Sequence, residues 1–297
     1  GKDRQPVLRK SKVESGKDKA QLVRKPTIEG WISNNSFDTA QLIKRNTKWF
    51  YFGGLGVPVP IIFLADYTFA LNKHYANILN NFAKKEEDME VVITSVGQSE
   101  GTKAHWSEFQ QNEYFRGEVE TDLILVTAPF RKFSRMPNIS AHIAHRRDLH
   151  QLPGKNAILV VPNGIASNWS WHEKFGNIQE IETKEYYDFG NVLLKGESIV
   201  LTMNSAPGDC GGAHILDSTT QNHRFIGIHF AGDGGIAYSV PLTIEDINET
   251  LGRDIRNSNY KESVHALVDP QAIPSVAGNV TLLGKLNDAP QCPTKTK

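Results

Sequence analysis

Pro207-Gly208-Asp209-Cys210-Gly211-Gly212-Ala213-His214-Ile215-Leu216 is the stretch on which the reading of this chain turns. Three glycines surround one thiol. Glycine tolerates the backbone angles of a tight turn, and such a turn can aim consecutive backbone N–H groups at the atom a nucleophile attacks. The apolar run Ala213 to Leu216 then reads as a strand leaving the turn. A lone cysteine in a turn is more often an ordinary buried thiol. The full Gly-Asp-Cys-Gly-Gly string shifts the balance, because it supplies a turn, an oxyanion hole and a nucleophile together. The expected hole donors are the amides of Cys210 and of Gly208 or Asp209.

On both sides of this stretch the sequence is a succession of short apolar runs broken by turn residues. Trp49 to Phe52, Ile61 to Leu64, Thr68 to Leu71, Met89 to Val96, Tyr114 to Val119 and Asp122 to Ala128 read as strands, with helical spacing over Tyr75 to Phe82. A second set follows at Ala157 to Val161, Ile178 to Glu182, Asn191 to Leu194, Ser198 to Met203, Arg224 to Phe230 and Ile236 to Val240. Two sets of short strands fit two packed barrels or sandwiches. Thr243 followed by Asp246 reads as a capping pair opening a short helix.

Bulk properties narrow the function without naming it. The 297 residues carry 33 basic and 33 acidic side chains and are 39% hydrophobic, so net charge selects neither nucleic acid nor an acidic substrate as partner. The apolar run Val57 to Ala65 is too short for a membrane span and is interrupted by prolines, and no secretory signal is read. Cys210 and Cys292 are the two cysteines, which suits a reducing compartment, with the cytosol as default. Residues 1–35 are read as a basic arm, with nine Lys or Arg between Lys2 and Lys25. Residues beyond about Asn257 are read as a tail.

The Gly208 to Gly212 string looks like the serine-protease Gly-Asp-Ser-Gly-Gly signature with sulfur in place of oxygen. Over about residues 36 to 250 the chain resembles the picornavirus 3C and 3C-like cysteine proteases, and its length and long arm are most similar to those of dicistroviruses and related picorna-like insect viruses. The resemblance implies an all-β, chymotrypsin-like fold of two β-barrels with short helices. The expected layout is a first barrel over 36–144, a second over 145–256, a basic arm before them and a tail over 257–297.

It also implies the roles of particular residues. A thiol needs an imidazole beside it to become a thiolate at neutral pH. His74 follows an apolar strand and precedes a helix, which resembles the family's base position. His105 is the runner-up, though its neighbours suggest a loop, and His142, His145 and His150 lack metal-ligand spacing. Asp122, opening an apolar strand, resembles the acid that orients the base, with Glu118 and Glu120 as substitutes and a strand-capping role as the bland reading. Gly227, His229 and Gly232 match the Gly-x-His-x-x-Gly strand that lines the family's primary pocket, and Ser205 matches its hydroxyl partner. A neutral imidazole plus a hydroxyl suits a Gln side chain.

Arg131, Lys132 and Arg135 partly match a basic and aromatic segment that relatives use for RNA, against the equally plain reading of a solvated linker. The expected activity is therefore a polyprotein-processing cysteine endopeptidase that cleaves after Gln, acting on viral polyprotein and host proteins in the host cytoplasm. Viral RNA is the expected second partner, and no cofactor or metal is expected. The alternative is an inactive protease-fold module that binds RNA.

Overall fold

The computed structural model describes residues 36–53, 58–83, 89–165, 168–188, 191–218 and 223–257. The basic arm and most of the tail fall outside the described residues. Helix α1 (Ser36–Asn46) comes first, and the sequence reading missed it. Among its described side chains Ala40 and Ile43 are buried apolar residues, with Leu42 partly buried beside them. Asn46 then pins its end, donating from Nδ2 to the carbonyls of Phe63 and Pro137, each at 2.8 Å.

The first lobe follows as β1 (Thr47–Phe52), β2 (Val59–Ala65), β3 (Thr68–Asn72), helix α2 (Lys73–Ala83), β4 (Glu90–Ser95), β5 (Gly101–His105), β6 (Gln110–Arg116) and β7 (Val119–Thr127). Every residue of β1, β2 and β3 is buried, which accounts for their continuous rather than alternating apolar runs. Aromatic rings fill the lobe. Phe50 meets Trp106 edge-on at 5.9 Å and Phe63 meets Phe69 at 5.1 Å.

The strand order is β5-β4-β1-β2-β3-β7-β6, all antiparallel. The expected first barrel is thus an open seven-stranded sheet among the described residues. The short 3-10 turn Trp106–Glu108 separates β5 from β6, and β6 leaves it to pair with β7 instead of β5.

The second lobe does close. Strands β8 (Asn156–Ile165), β9 (Asn168–Asp188), β10 (Asn191–Thr202), β11 (Ala213–Leu216), β12 (Phe225–Asp233) and β13 (Ile236–Pro241) form a barrel in the order β10-β13-β12-β11-β8-β9. Helix α3 (Ile244–Leu251) follows and packs against β6 of the first lobe. Thr243 accepts from the Asp246 amide at 3.2 Å, as the sequence predicts, and Gly252 ends the helix at φ 62°. No helix among the described residues is long and apolar enough to cross a membrane.

Strands β9 and β10 are far longer than the short segments read in the sequence. Glu180, Glu182 and Glu185 alternate poorly with apolar residues, and Gly196 reads as a break, yet both strands pair across most of their length.

One apolar layer joins the lobes, in which Ile62, Leu64 and Leu125 pack with Ile158, Val160, Ile228 and Val240. Polar contacts fasten the same seam. Tyr114 Oη of β6 donates to the Pro241 carbonyl at 3.1 Å and accepts from the Thr243 amide at 3.2 Å, while Arg116 lies against Asp246 and Glu197. Replacing Tyr114 by Phe leaves a buried N–H and a buried carbonyl unmet. The expected cost is about 1–3 kcal/mol, read as a lower urea midpoint, and an unchanged midpoint contradicts the role given to this hydroxyl.

Candidate active site

Strand β3 delivers the base. It ends at Asn72, α2 begins at Lys73, and His74 therefore lies in the first helical turn, where a backbone N–H has no partner within the helix. Asp122 supplies that partner. Its Oδ1 accepts from the His74 amide at 2.8 Å, while its Oδ2 faces His74 Nδ1 at 2.6 Å. One buried carboxylate thus caps the helix and orients the ring. With Nδ1–H donated to Asp122, Nε2 carries the lone pair, and it has no hydrogen-bond partner in this structure. The register of β3 against β7 brings the pair together, since Asn72 lies opposite Leu123. Glu118 and Glu120 are exposed, and Glu120 pairs with Lys73.

Asn72 is a site residue that the sequence reading passed over. Its Nδ2 lies 3.3 Å from Asp122 Oδ2, 3.4 Å from the Asp122 carbonyl and 3.2 Å from the His229 carbonyl. A buried amide beside the His at the end of an apolar strand was the available signal.

Gly208 and Gly211 have φ of 94° and 89°, values at which a side chain is strained. A Cβ on Gly211 would also lie 2.3 Å from the Pro60 carbonyl, so the turn is pressed against β2 of the other lobe. Strand β12 clamps the turn. Gly211 N donates to the His229 carbonyl at 2.9 Å and His229 N donates to the Gly212 carbonyl at 2.8 Å. Cys210 itself packs into the first lobe's apolar cluster with Leu71 and Tyr75.

One expectation needs correcting. The Asp209 amide donates to the Ala206 carbonyl at 3.1 Å, so it does not serve the oxyanion hole, and Gly208 and Cys210 remain as the hole's candidates. Asp209 contributes through its carboxylate. Its Oδ2 is buried and accepts from the Ala206 amide at 2.7 Å and from Lys174 Nζ of β9 at 2.5 Å.

The Cys210 sulfur lies 3.3 Å from the Phe230 carbonyl. Cys292, the other cysteine of the chain, is outside the described residues.

The expected pocket residues fall on β12 and beside it. A Cβ on Gly232 would lie 1.7 Å from Ser205 Oγ, and one on Gly227 would lie 2.4 Å from Ser239 Oγ. These two positions are glycine because neighbouring hydroxyls fill the space. His229 is fully buried, its Nδ1 lies 3.2 Å from His214 Nε2, and its own Nε2 has no partner. Burial holds His229 well below the usual imidazole range, helped by His214, Lys174 and His74 nearby, and burial pushes His214 down to about 3. Both rings are neutral at physiological pH.

Arg131, Lys132 and Arg135 fall on the exposed turn after β7, apart from these contacts. Lys132 pairs with Glu108 at 2.6 Å. Arg131 lies over the ring of Phe130 at 5.6 Å, and Phe130 is 65% exposed. His105 is exposed, and His145 pairs with Glu245.

No protein-family model matches the sequence, and no curated protein does. Among solved structures the chain is similar to the tobacco vein mottling virus protease, at 13% identity and TM-score 0.47, covering 76% of this chain and 90% of that one. It is similar to the HRV-C 3C protein solved with rupintrivir, at 14% identity and TM-score 0.43, covering 69% and 95%. It is also similar to the Rv3671c protease of Mycobacterium tuberculosis in an inactive form, at 14% identity and TM-score 0.43, covering 74% and 93%. At such distances the chemistry has to be read from the residues themselves.

The two buried imidazoles set a pH dependence. Their folded pKa values lie below the unfolded value of about 6.5, so below that pH the unfolded chain binds more protons and folding weakens. Stability is retained above about pH 6.5 and falls by up to about 1.4 kcal/mol per pH unit for each histidine, for His214 down to about pH 3. Urea unfolding between pH 7.5 and 5 measures this slope. His214→Leu is expected to flatten it by about one proton, and an unaltered slope removes His214 as a buried neutral group.

Proposed function

We propose that the protein is a cysteine endopeptidase that cleaves polypeptides after Gln, with Cys210 as nucleophile, His74 as general base and Asp122 as the acid that orients it. The observation that carries this reading is the pairing of His74 with Asp122 on one lobe, tied through Asn72 to the strand that clamps the Gly208 to Gly212 turn of the other.

The reaction begins with the Cys210 thiol. His74 Nε2 takes the Sγ proton, and the thiolate adds to the scissile carbonyl carbon. Negative charge develops on the carbonyl oxygen, where the amides of Gly208 and Cys210 are the donors proposed to meet it. Collapse breaks the C–N bond, and the leaving amine takes the proton from His74. Water then adds to the thioester with His74 again as base, releasing the Gln carboxylate and the thiol. Asp122 stays ionised throughout, holding Nδ1–H and stabilising the imidazolium.

Selectivity for Gln is assigned to His229 of β12 and to Ser205, whose hydroxyl lies against Gly232 of the same strand. A buried donor without a partner in the free protein favours a side chain that can accept from it. Viral polyprotein in the host cytoplasm is the substrate this reading favours. Gln271-Ala272 and Gln291-Cys292 are candidate bonds within the chain itself.

Peptides with Gln before the scissile bond are expected to be cut. Cys210→Ala abolishes cleavage while leaving the unfolding transition intact. Replacing the substrate Gln by Leu costs about ten- to a hundredfold in kcat/KM. Turnover by folded Cys210→Ala sinks the mechanism, and equal rates for Gln and Leu sink the pocket.

RNA binding is a second reading, favoured by exposed Phe130 with Arg131 across its ring and Arg135 nearby. An exposed aromatic beside cations suits a base stacked above a phosphate. Neutralising Arg131, Lys132 and Arg135 is expected to weaken RNA binding and flatten its salt dependence, with peptide cleavage unchanged. Because Lys132 already pairs with Glu108, most of the change should come from the two arginines. A form lacking residues 1–25 controls for the basic arm, and unchanged affinity returns the cluster to a solvated turn.

A further inference from the structure

The second barrel contains a polar contact that the proposed chemistry does not use. His214 follows the nucleophile turn on β11 and lies opposite Gly227, which has no side chain, so its ring meets that of His229 two residues further along β12. Both imidazoles are fully buried. Their facing nitrogens are 3.2 Å apart, and each ring's other nitrogen, His214 Nδ1 and His229 Nε2, has no partner.

We infer that His214 is a positioning residue for the specificity pocket, donating its Nε2 proton to His229 Nδ1 and so fixing His229 as the neutral tautomer that offers Nε2–H to substrate. The inference rests on the pocket reading above.

The tautomers follow from counting protons. Two neutral imidazoles share one proton between the facing nitrogens, and each ring holds one proton in total. If His229 donated, His214 would carry its proton on Nδ1, an N–H buried in the barrel with no acceptor. Unmet N–H groups of that kind are rare. If His214 donates, the unmet N–H is His229 Nε2 instead, the group proposed to meet the substrate carbonyl. Donation by His214 also disfavours a cationic His229, since protonating Nδ1 would set two N–H groups face to face. Lys174 and His74, the other charged or titratable groups acting on His229, oppose a positive charge there as well. A pocket held neutral in this way accepts an amide and gives a carboxylate no ion pair, which separates Gln from Glu.

The test combines a spectrum with a substrate panel. Histidine-15N NMR of the wild-type chain is expected to show His229 protonated on Nε2, and His214→Leu is expected to show a mixture of tautomers. With peptides carrying Gln, Glu or Leu before the scissile bond, His214→Leu is expected to narrow the Gln-over-Glu preference about tenfold, mainly through KM. His214→Gln, whose side-chain amide can donate from a similar place, restores it. A wild-type His229 protonated on Nδ1 overturns the inference, as does an unchanged Gln-over-Glu ratio in folded His214→Leu. If wild type shows no preference for Gln while His229 remains Nε2-protonated in dependence on His214, the pocket reading fails and the tautomer assignment stands. If His214→Leu does not fold, the wild-type spectrum and the His214→Gln ratio decide.

Discussion

The site depends on the backbone of His229. Its carbonyl accepts from Gly211, its amide donates to Gly212, and the same carbonyl lies 3.2 Å from Asn72 Nδ2 of the other lobe. Base and nucleophile stand on separate sheets, so their relative position is set by whatever crosses between them. Here a single residue of β12 touches both the turn that carries Cys210 and the amide that leans on Asp122. Misplacement by about 1 Å at such a junction is enough to cost a hundredfold in rate. Backbone hydrogen bonds between buried elements are well suited to preventing it.

Polar groups around this junction are handled in two ways. Where a charge is buried it is paired, as Asp209 is with Lys174 and the Ala206 amide, since an unpaired buried carboxylate would be strongly unfavourable. Where an imidazole is buried it is neutral, as His214 and His229 are, because desolvation penalises the charged form more than their single mutual contact can offset. His74 lies between these cases, with a carboxylate on one side and an open nitrogen on the other.

Legibility in the sequence tracked how local each signal is. The Gly208 to Gly212 turn could be read because its strained positions are contiguous, and the structure gives Gly208 and Gly211 the positive φ that glycine permits. Gly227 and Gly232 were legible as a pattern, and only the structure supplies the reason, which is a neighbouring hydroxyl over each. Asp122 was named from the sequence with Glu118 and Glu120 as substitutes, and it is the Asp122 carboxylate that faces His74. Segments of β9 and β10 were legible and their full length was not, because Glu180, Glu182 and Glu185 break the apolar pattern over the outer part of the pair. Asn72 and His214 were missed for a related reason. Their partners are 50 or more positions away for Asn72 and 15 for His214, and a single polar residue in an apolar run does not reveal what it faces.

The open first sheet and the closed second one divide the labour of the fold. Closure gives the second barrel an interior in which two imidazoles are kept from water, and burial keeps both neutral. The first sheet, left open between β5 and β6, packs its apolar cluster around Cys210 and lays β2 against Gly211. The apolar layer shared by the lobes, with Tyr114 bonded across it, keeps the two environments in fixed register. The buried His229 ring of one lobe and the His74–Asp122 pair of the other are then held in place without either having to move, and preorganisation of that kind is what the proposed chemistry relies on.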